Sequence, residues 1–257
     1  MAKIELNYLS YSLRRTVDLT IIYPTCVCGE IDDFVNKKKT YKNLKGYPVM
    51  YLLHGMSGDH SSWINYSSIA RYAEENNICV VMISGEDKFY INHASSDLFY
   101  DFLNKELPDF ITSTFPVSKR KEDTYIAGLS MGGYGALIHG LLNYKKYAAI
   151  GAFSAPVYSK RIEKEAGKEV LDIYSIMQKC IKRKINLPPI YLTIGKKDFL
   201  FQGNEDLAKL CLENNVNCTY LPIDGFDHEW SFWDRVVYDF ISWIPRSDKY
   251  KDIKRKV

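Results

Sequence analysis

The run of residues 124–139 contains the feature that most restricts how this chain can fold. It reads TYIAGLSMGGYGALIH, an apolar, β-rich stretch followed by a serine and then by small residues at the start of a helical pattern. We predict a buried strand that ends at Leu129, a turn at Ser130 and a helix that begins at Met131. The serine hydroxyl would then be exposed on a sharp turn between a strand and a helix.

Two glycines frame that turn and complete the pattern G-x-S-x-G. Gly128 and Gly132 lie two residues either side of Ser130, where larger side chains would collide with the neighbouring strand and helix. Three fixed positions occur by chance in roughly one chain in ten of this length, so the flanking strand and helix carry more weight than the pattern itself. The alternative is a glycine-rich connection with an inert serine, which requires that no base and acid follow downstream.

Composition predicts a single domain over residues 1–257. With 257 residues and 46% hydrophobic content the chain can bury one sizeable core. Its 34 basic and 31 acidic residues give a net charge of +3, a balanced surface that predicts no nucleic-acid or membrane partner. The N-terminus alternates like a strand and lacks the apolar core of a signal peptide, and no run reaches the about 18 apolar residues of a membrane span. We expect a soluble, cytoplasmic protein.

Six cysteines are spread too thinly along the chain for a disulfide scaffold. Cys79 lies in the apolar run 78–83 and is interpreted as a core residue. Cys26 and Cys28 are one residue apart, and no further Cys or His cluster completes a zinc set. We therefore predict reduced cysteines and no metal site.

The order of the elements predicts an α/β fold, with a mostly parallel central sheet flanked by helices. Two β-type runs, 3–11 and 14–23, favour an antiparallel hairpin at a sheet edge. Beyond them strands and helices alternate with short links, which is typical of right-handed βαβ units. The predicted strands are 47–53, 78–83, 124–129, 147–153, 190–194 and 218–221. Helices are predicted at 67–75, 97–114 and 204–214; a further helix begins at Met131, and the last helix ends at Ile244.

Several segments depart from this alternation. Residues 154–186 are polar and lysine-rich, and their position after the strand that follows the motif helix favours a small cap, with an ordinary surface helix at 167–181 as the alternative. Pro108 lies inside a helical pattern and predicts a kink or a break. The lysine-rich run 29–46 is interpreted as a solvated loop, and the basic tail from Lys249 as frayed and solvated.

Ser130 requires partners if its hydroxyl is to act as a nucleophile. A serine needs a base within hydrogen-bonding reach and an acid that orients the base, and in sheets of this kind these groups come from loops at the carboxyl ends of strands. Ser130, Asp198 and His228 each follow a predicted strand, in the chain order Ser, Asp, His of the α/β-hydrolase fold. We predict that these three residues are catalytic.

Other residues compete for the same roles. Asp224 and Asp227 precede His228 too closely to reach back to its ring easily, so Asp224 is only the fallback acid. Ser154 also follows a strand, but Pro156 comes soon after it and no helix begins there. The remaining histidines do not follow the last strand: His54, His60, His93 and His139.

The loop after the strand 47–53 predicts part of an oxyanion hole. It reads HGMSGDHSSW over residues 54–63, and its two glycines allow backbone N–H groups to turn inward. The predicted donors are the N–H groups of Met56 and of Met131, which follows Ser130. A plain strand-to-helix turn is the alternative.

Taken together, four segments resemble the esterase D and tributyrin esterase family, which includes feruloyl and acetyl-xylan esterases of carbohydrate esterase family 1. They are HGMSGDHSSW from His54, AGLSMGGYGA from Ala127, DFL from Asp198 and DHEW from Asp227. The resemblance extends over about residues 3–244. It implies an α/β-hydrolase and a serine esterase that cleaves short-chain acyl or aryl esters, acetyl, butyryl or feruloyl, through an acyl-serine intermediate. It also implies no cofactor, a homo-oligomer, and acylated oligosaccharides among the substrates.

The chain departs from the family pattern near the site. GKKD ends at Asp198 where GTED is more usual, GFDH ends at His228 where GGHD or similar is usual, and SAP from Ser154 replaces SGA. These changes bear on substrate preference more than on the catalytic scheme. Four aromatic residues are predicted to line an acyl or aryl pocket, with core packing as the alternative for each: Trp63, Phe89, Tyr90 and Trp230.

Two other functions remain open from the sequence. In an acyltransferase an alcohol would replace water as the acyl acceptor, and the sequence does not separate this reaction from hydrolysis. A non-catalytic binding protein on the same scaffold would have a broken triad, whereas all three members are present here.

Overall fold

The computed structural model describes residues 1–25, 46–93, 96–158 and 171–253. The predicted lysine-rich loop lies outside the described residues except for Gly46, and so do Cys26 and Cys28. Residues 159–170 of the predicted cap also lie outside them.

The described strands form one eight-stranded sheet in the order β1-β2-β4-β3-β5-β6-β7-β8. Their bounds are β1 (Ala2–Ser10), β2 (Arg15–Tyr23), β3 (Val49–Leu53), β4 (Cys79–Ile83), β5 (Thr124–Leu129), β6 (Ala149–Phe153), β7 (Ile190–Gly195) and β8 (Cys218–Ile223). β1 pairs with β2, and β2 with β4, in antiparallel fashion, and all other pairs are parallel. The predicted edge hairpin and the mostly parallel α/β sheet are confirmed.

Helices flank the sheet on both faces. They are α1 (Ser62–Tyr66), α2 (Ile69–Glu75), α3 (Phe99–Asp101), α4 (Leu107–Thr114), α5 (Met131–Leu142), α6 (Ile173–Lys182), α7 (Phe201–Glu213) and α8 (Trp230–Trp243). A π turn, Phe102–Glu106, joins α3 to α4, and a short 3₁₀ turn, Lys121–Asp123, precedes β5.

The central strands are buried on both faces, so successive side chains enter two separate cores. Tyr51 of β3 belongs to the core that α5 covers, and its neighbour Leu52 belongs to the core that α8 covers. This double coverage explains why β3 to β7 consist almost entirely of apolar residues. It also leaves the strand ends as the places where polar side chains can meet.

The break predicted at Pro108 takes the form of the π turn. Pro108 has no N–H to donate to the preceding turn. The Leu107 N–H donates to the carbonyl of Phe102, five residues earlier, so the widened turn lets the helix continue past the proline. The helical segment therefore runs without interruption from Phe99 to Thr114, with a local change of winding.

The C-terminal tail differs from its prediction. Tyr250 is buried and stacks on Tyr47, with ring centroids 4.3 Å apart. Asp248 is also buried and accepts from the Arg246 guanidinium at 2.7 Å. The prediction of a frayed tail is therefore wrong as far as Ile253, because Tyr250 packs against the body of the protein and the Ile253 carbonyl accepts from the Asn77 amide. The side chains of the other described tail residues are exposed, as predicted.

The described part of the predicted cap packs against the body as well. Ile173 and Met177 of α6 are fully buried in the core that contains α5, and the Tyr134 hydroxyl donates to the carbonyl of Leu171 at 2.8 Å. None of the described helices combines the length and apolar character that a membrane span requires.

Candidate active site

Ser130 occupies a strained turn between β5 and α5. Its backbone has φ of 50° and ψ of −119°, a conformation that L-residues adopt only when their surroundings enforce it. The Ser130 N–H donates to the carbonyl of Phe153 in β6 at 2.8 Å. The turn is therefore tied to the neighbouring strand, and the hydroxyl lies at the carboxyl edge of the sheet.

Both motif positions require glycine, because the backbone around them leaves no space for a side chain. A Cβ on Gly128 would lie 2.4 Å from the carbonyl oxygen of Gly132, and a Cβ on Gly132 would lie 2.3 Å from that of Leu53. Both contacts are with backbone, which cannot move aside. The predicted steric reason for the glycines is confirmed.

Asp198 and His228 meet Ser130 at the same edge. Asp198 follows β7, is 3% exposed and accepts from the Leu200 N–H at 2.9 Å. His228 lies between β8 and α8, with its Nδ1 2.8 Å from Asp198 Oδ2 and its Nε2 3.0 Å from Ser130 Oγ. Because an ionised carboxylate only accepts, Nδ1 carries the proton and Nε2 is free to accept from the serine hydroxyl.

The competing acids are engaged elsewhere. Asp224 forms an ion pair with Lys196 at 3.0 Å, and its side chain is 85% exposed. Asp227 accepts from the backbone N–H of His228 at 2.8 Å rather than from its ring. Asp198 is thus the carboxylate on the imidazole.

The loop after β3 is held in place from both ends. The Ser57 N–H donates to Asp87 Oδ1 at 2.7 Å, and the Gly85 N–H donates to His54 Nε2 at 2.7 Å. Since Nε2 accepts, the proton of His54 lies on Nδ1, which is 2.6 Å from the carbonyl oxygen of Gly55. Burial lowers the pKa of His54, so the ring is a neutral structural connector.

The two predicted oxyanion donors are the backbone N–H groups of Met56 and Met131. Both line the cavity that contains Ser130, and Met131 begins α5. The first N–H groups of a helix have no carbonyl partner within it. The two predicted oxyanion donors therefore belong to segments that border the serine hydroxyl.

The cavity at this edge has a volume of about 790 Å³, within the range of small-molecule sites. Aromatic side chains form much of its wall: Tyr66, Phe89, Phe199, Trp230 and Trp233. Of the four predicted pocket residues, Phe89 and Trp230 thus line it. From the described part of the predicted cap, residues 154–186, Pro156 lines the cavity.

Trp63 and Tyr90 lie behind the cavity wall, contrary to the prediction. Trp63 is 1% exposed, and its indole N–H donates to the carbonyl of Leu53 at 3.0 Å. Tyr90 is fully buried, and its hydroxyl donates to the carbonyl of His54 at 2.9 Å. Each fixes the chain at the end of β3, because its polar atom finds a backbone carbonyl inside the protein.

Two further aromatic residues contact His228, and neither is among the residues predicted from the sequence. Phe199 lies 4.7 Å from the imidazole between ring centroids, and Trp233 lies 4.9 Å from it and perpendicular to it. The position of Phe199 directly after Asp198 was a usable signal. No sequence signal distinguishes Trp233 from the other apolar residues of α8.

This arrangement defines the class of the protein. A serine on a strained strand-to-helix turn, hydrogen-bonded to a histidine that a buried carboxylate orients, is the arrangement of serine hydrolases with the α/β-hydrolase fold. The chain belongs to the esterase family, since the family model described as "Putative esterase" matches residues 35–246. It is a serine carboxylic ester hydrolase.

Individual proteins with similar sequences agree with this assignment. An acetyl esterase of Caldicellulosiruptor saccharolyticus is 28% identical over 96% of this chain and 99% of its own length. The fluorophosphonate-binding serine hydrolase F of Staphylococcus aureus is 29% identical with a TM-score of 0.81, over 94% of this chain and 97% of that one. An S-formylglutathione hydrolase of the same organism is 29% identical with a TM-score of 0.79, over 94% of this chain and 98% of that one.

Proposed function

We propose that this enzyme hydrolyses short-chain acyl esters, acetyl esters first among them, through an acyl intermediate on Ser130. The observation that supports these roles most strongly is the bridging position of His228, 3.0 Å from Ser130 Oγ and 2.8 Å from Asp198 Oδ2. The similarity to an acetyl esterase over nearly the whole chain supports the choice of acyl group.

Acylation begins when His228 Nε2 removes the hydroxyl proton as Ser130 Oγ attacks the ester carbonyl carbon. The imidazolium that forms is stabilised by the Asp198 carboxylate at Nδ1. The proton on Nε2 then passes to the alkoxy oxygen, the bond from that oxygen to the carbonyl carbon breaks, and the alcohol leaves. Water, deprotonated by the same Nε2, then attacks the acyl carbon. The bond from that carbon to Ser130 Oγ breaks, Oγ takes the proton back from Nε2, and the carboxylic acid leaves.

The N–H groups of Met56 and Met131 hold the oxyanion of each tetrahedral intermediate. One such donor is typically worth about 10² to 10³ in rate. Because the donors are main-chain groups, replacement of either methionine side chain lowers the rate much less than loss of the Ser130 hydroxyl does.

The alcohol part of the substrate is less restricted. At the cavity mouth Tyr66 is 62% exposed and stacks on Trp230, with centroids 5.1 Å apart and an interplanar angle of 27°. Such a surface suits an aryl group or the apolar face of a sugar ring, which favours acylated oligosaccharides as a second substrate class. Homo-oligomer formation and a cytoplasmic location stay predictions.

A fluorophosphonate probe tests the nucleophile. The wild-type protein should be labelled, and Ser130→Ala should abolish both the labelling and ester hydrolysis. Ser62→Ala is the matched control, because Ser62 lines the same cavity but its hydroxyl accepts from the Asp59 N–H; this variant should still be labelled. Labelling that survives Ser130→Ala would refute the assignment.

Hydrolysis of p-nitrophenyl acetate, butyrate and ferulate tests the acyl group. We expect acetate and butyrate to be cleaved with the highest kcat/KM, and a preference for ferulate would overturn the short-chain assignment. Product analysis with added alcohol separates hydrolysis from acyl transfer. Esters of the added alcohol as the main product would favour the acyltransferase.

A further inference from the structure

Ser154, the rival serine of the sequence, lies beside the nucleophile turn but has a different set of contacts. It directly follows Phe153, whose carbonyl accepts from the Ser130 N–H. Ser154 is fully buried with φ of +49°, and its own N–H donates to the carbonyl of Thr193 in β7 at 2.9 Å. The sheet therefore fixes this residue in a strained conformation, a feature that concentrates at functional sites.

The hydroxyl of Ser154 accepts a hydrogen bond from Trp233. The indole Nε1 lies 3.2 Å from Ser154 Oγ, and Trp233 is only 6% exposed. A buried indole N–H needs such a partner, because an unsatisfied donor in the interior is costly. The contact sets the rotation of the indole ring in the first turn of α8.

The same indole ring packs against His228. Its plane is at 87° to the imidazole, and the centroids are 4.9 Å apart. Phe199 also contacts the imidazole but is tilted by 39° and is 57% exposed. Trp233 is thus the buried and more constrained of these two neighbours.

His228 requires such a neighbour, because its two hydrogen bonds leave one motion free. Bonds at Nδ1 and Nε2 fix the ring along the line from Asp198 to Ser130 but only weakly resist swinging about that line. A perpendicular ring in van der Waals contact opposes the swing. Small errors in the placement of a catalytic group cost large factors in rate.

We propose that Ser154 is a positioning residue that acts through Trp233 to hold the imidazole of His228 in line with Ser130 Oγ. The Ser154 hydroxyl fixes the indole, and the indole fixes the tilt of the imidazole. This inference rests on the proposed function, since it assigns Ser154 a part in the reaction of that site. Ser154 touches neither substrate nor reacting atoms.

Ser154→Ala tests the proposal by steady-state kinetics on p-nitrophenyl butyrate. We expect kcat to fall by about tenfold with little change in KM, because the base is misplaced while the cavity is intact.

Ser10→Ala is the matched control for stability. Ser10 is also fully buried, and its hydroxyl donates to Glu106 Oε2 at 3.0 Å. It lies in β1, which β2, β4 and β3 separate from β5. This variant should unfold at a lower temperature, yet keep the wild-type kcat and KM. If Ser154→Ala changes only the melting temperature, as this control does, the proposal is overturned.

Trp233→Phe gives a second, independent measurement, which also serves if Ser154→Ala does not fold. Phe keeps an aromatic ring but lacks the N–H, so kcat should fall to a similar extent. Adding Ser154→Ala to Trp233→Phe should cost almost nothing further, since the pair acts as a unit. Fully additive losses would overturn the proposal. A wild-type protein that neither reacts with fluorophosphonate nor cleaves esters would instead refute the proposed function.

Discussion

The hydroxyl of Tyr90 donates to the carbonyl of His54 at 2.9 Å, and the same histidine accepts from the Gly85 N–H through its ring. Segments more than 30 residues apart are thereby joined immediately before the loop that contains Met56. Tyr90 has φ of +57°, an unfavourable conformation for a bulky residue. The buried hydrogen bond helps to offset that strain and fixes where the loop begins.

Tyr90→Phe should therefore reduce catalysis, although Tyr90 does not itself line the cavity. The variant leaves the His54 carbonyl unsatisfied, at a cost of about 1–3 kcal/mol, and lets the oxyanion loop shift. We expect kcat to fall by about three- to tenfold with KM nearly unchanged, as measured on p-nitrophenyl acetate. An unchanged kcat would show that the loop is positioned without this bond.

Replacement of glycine by alanine should have opposite effects at two helical positions. In Gly132→Ala the new Cβ would meet the Leu53 carbonyl oxygen at 2.3 Å and that of His54 at 2.6 Å, so we expect an inactive, poorly folded protein. Gly203 lies in α7, where the nearest atoms to a Cβ are those of the half-exposed Tyr158 ring, from 3.3 Å. Gly203→Ala should raise stability by about 0.5–1 kcal/mol, as thermal unfolding would show.

Much of the fold followed from local patterns, whereas the supporting contacts of the site did not. Ser130, Asp198 and His228 were identifiable because each follows a predicted strand and because their chain order is that of the α/β-hydrolase fold. Trp63 and Tyr90 were misplaced because an aromatic residue near a site can equally serve the core. Trp63 and Tyr90 are core residues because their polar atoms donate to the carbonyls of Leu53 and His54. Only the folded chain brings these carbonyls within reach, so the sequence does not reveal the contacts.

The form of the π turn before Pro108 depends on a similar long-range contact. Within it Glu106 is buried and accepts from the Ser10 hydroxyl and from the N–H groups of Tyr11 and Ser12 in the β1–β2 turn. The proline signals a disturbance of the helix, but the pattern of apolar residues does not reveal that a carboxylate there holds the edge hairpin.

Glu106→Gln should destabilise the protein without affecting the site. The amide retains one accepting oxygen and loses both the charge and the second acceptor, so at least one N–H of the turn is left without a partner. We expect a loss of about 2 kcal/mol, seen as a fall of about 5 °C in the melting temperature. The turn joins β1 to β2 at one edge of the sheet, whereas β5 to β8 form the other half. We therefore expect kcat at moderate temperature not to change. A lower kcat would mean that the hairpin influences the site.

His139 should make stability depend on pH below neutrality. It is fully buried on α5, its Nε2–H donates to the carbonyl of Tyr90 at 2.9 Å, and its Nδ1 has no hydrogen-bond partner. Burial lowers its pKa from 6.5 to about 4. Between these values the unfolded chain binds a proton that the folded protein excludes, so stability falls as the pH decreases from 6.5 towards 4, by about 3 kcal/mol in total.

His139→Gln isolates this contribution. Gln does not titrate, and its amide can still donate to the Tyr90 carbonyl. Urea unfolding at pH 7, 5.5 and 4.5 should show a stability that decreases less steeply in the variant than in the wild type, with the difference confined to pH values below about 6.5. Equal slopes in the two proteins would mean that His139 takes up its proton in the folded state at an ordinary pKa, and that the buried ring is hydrated or mobile.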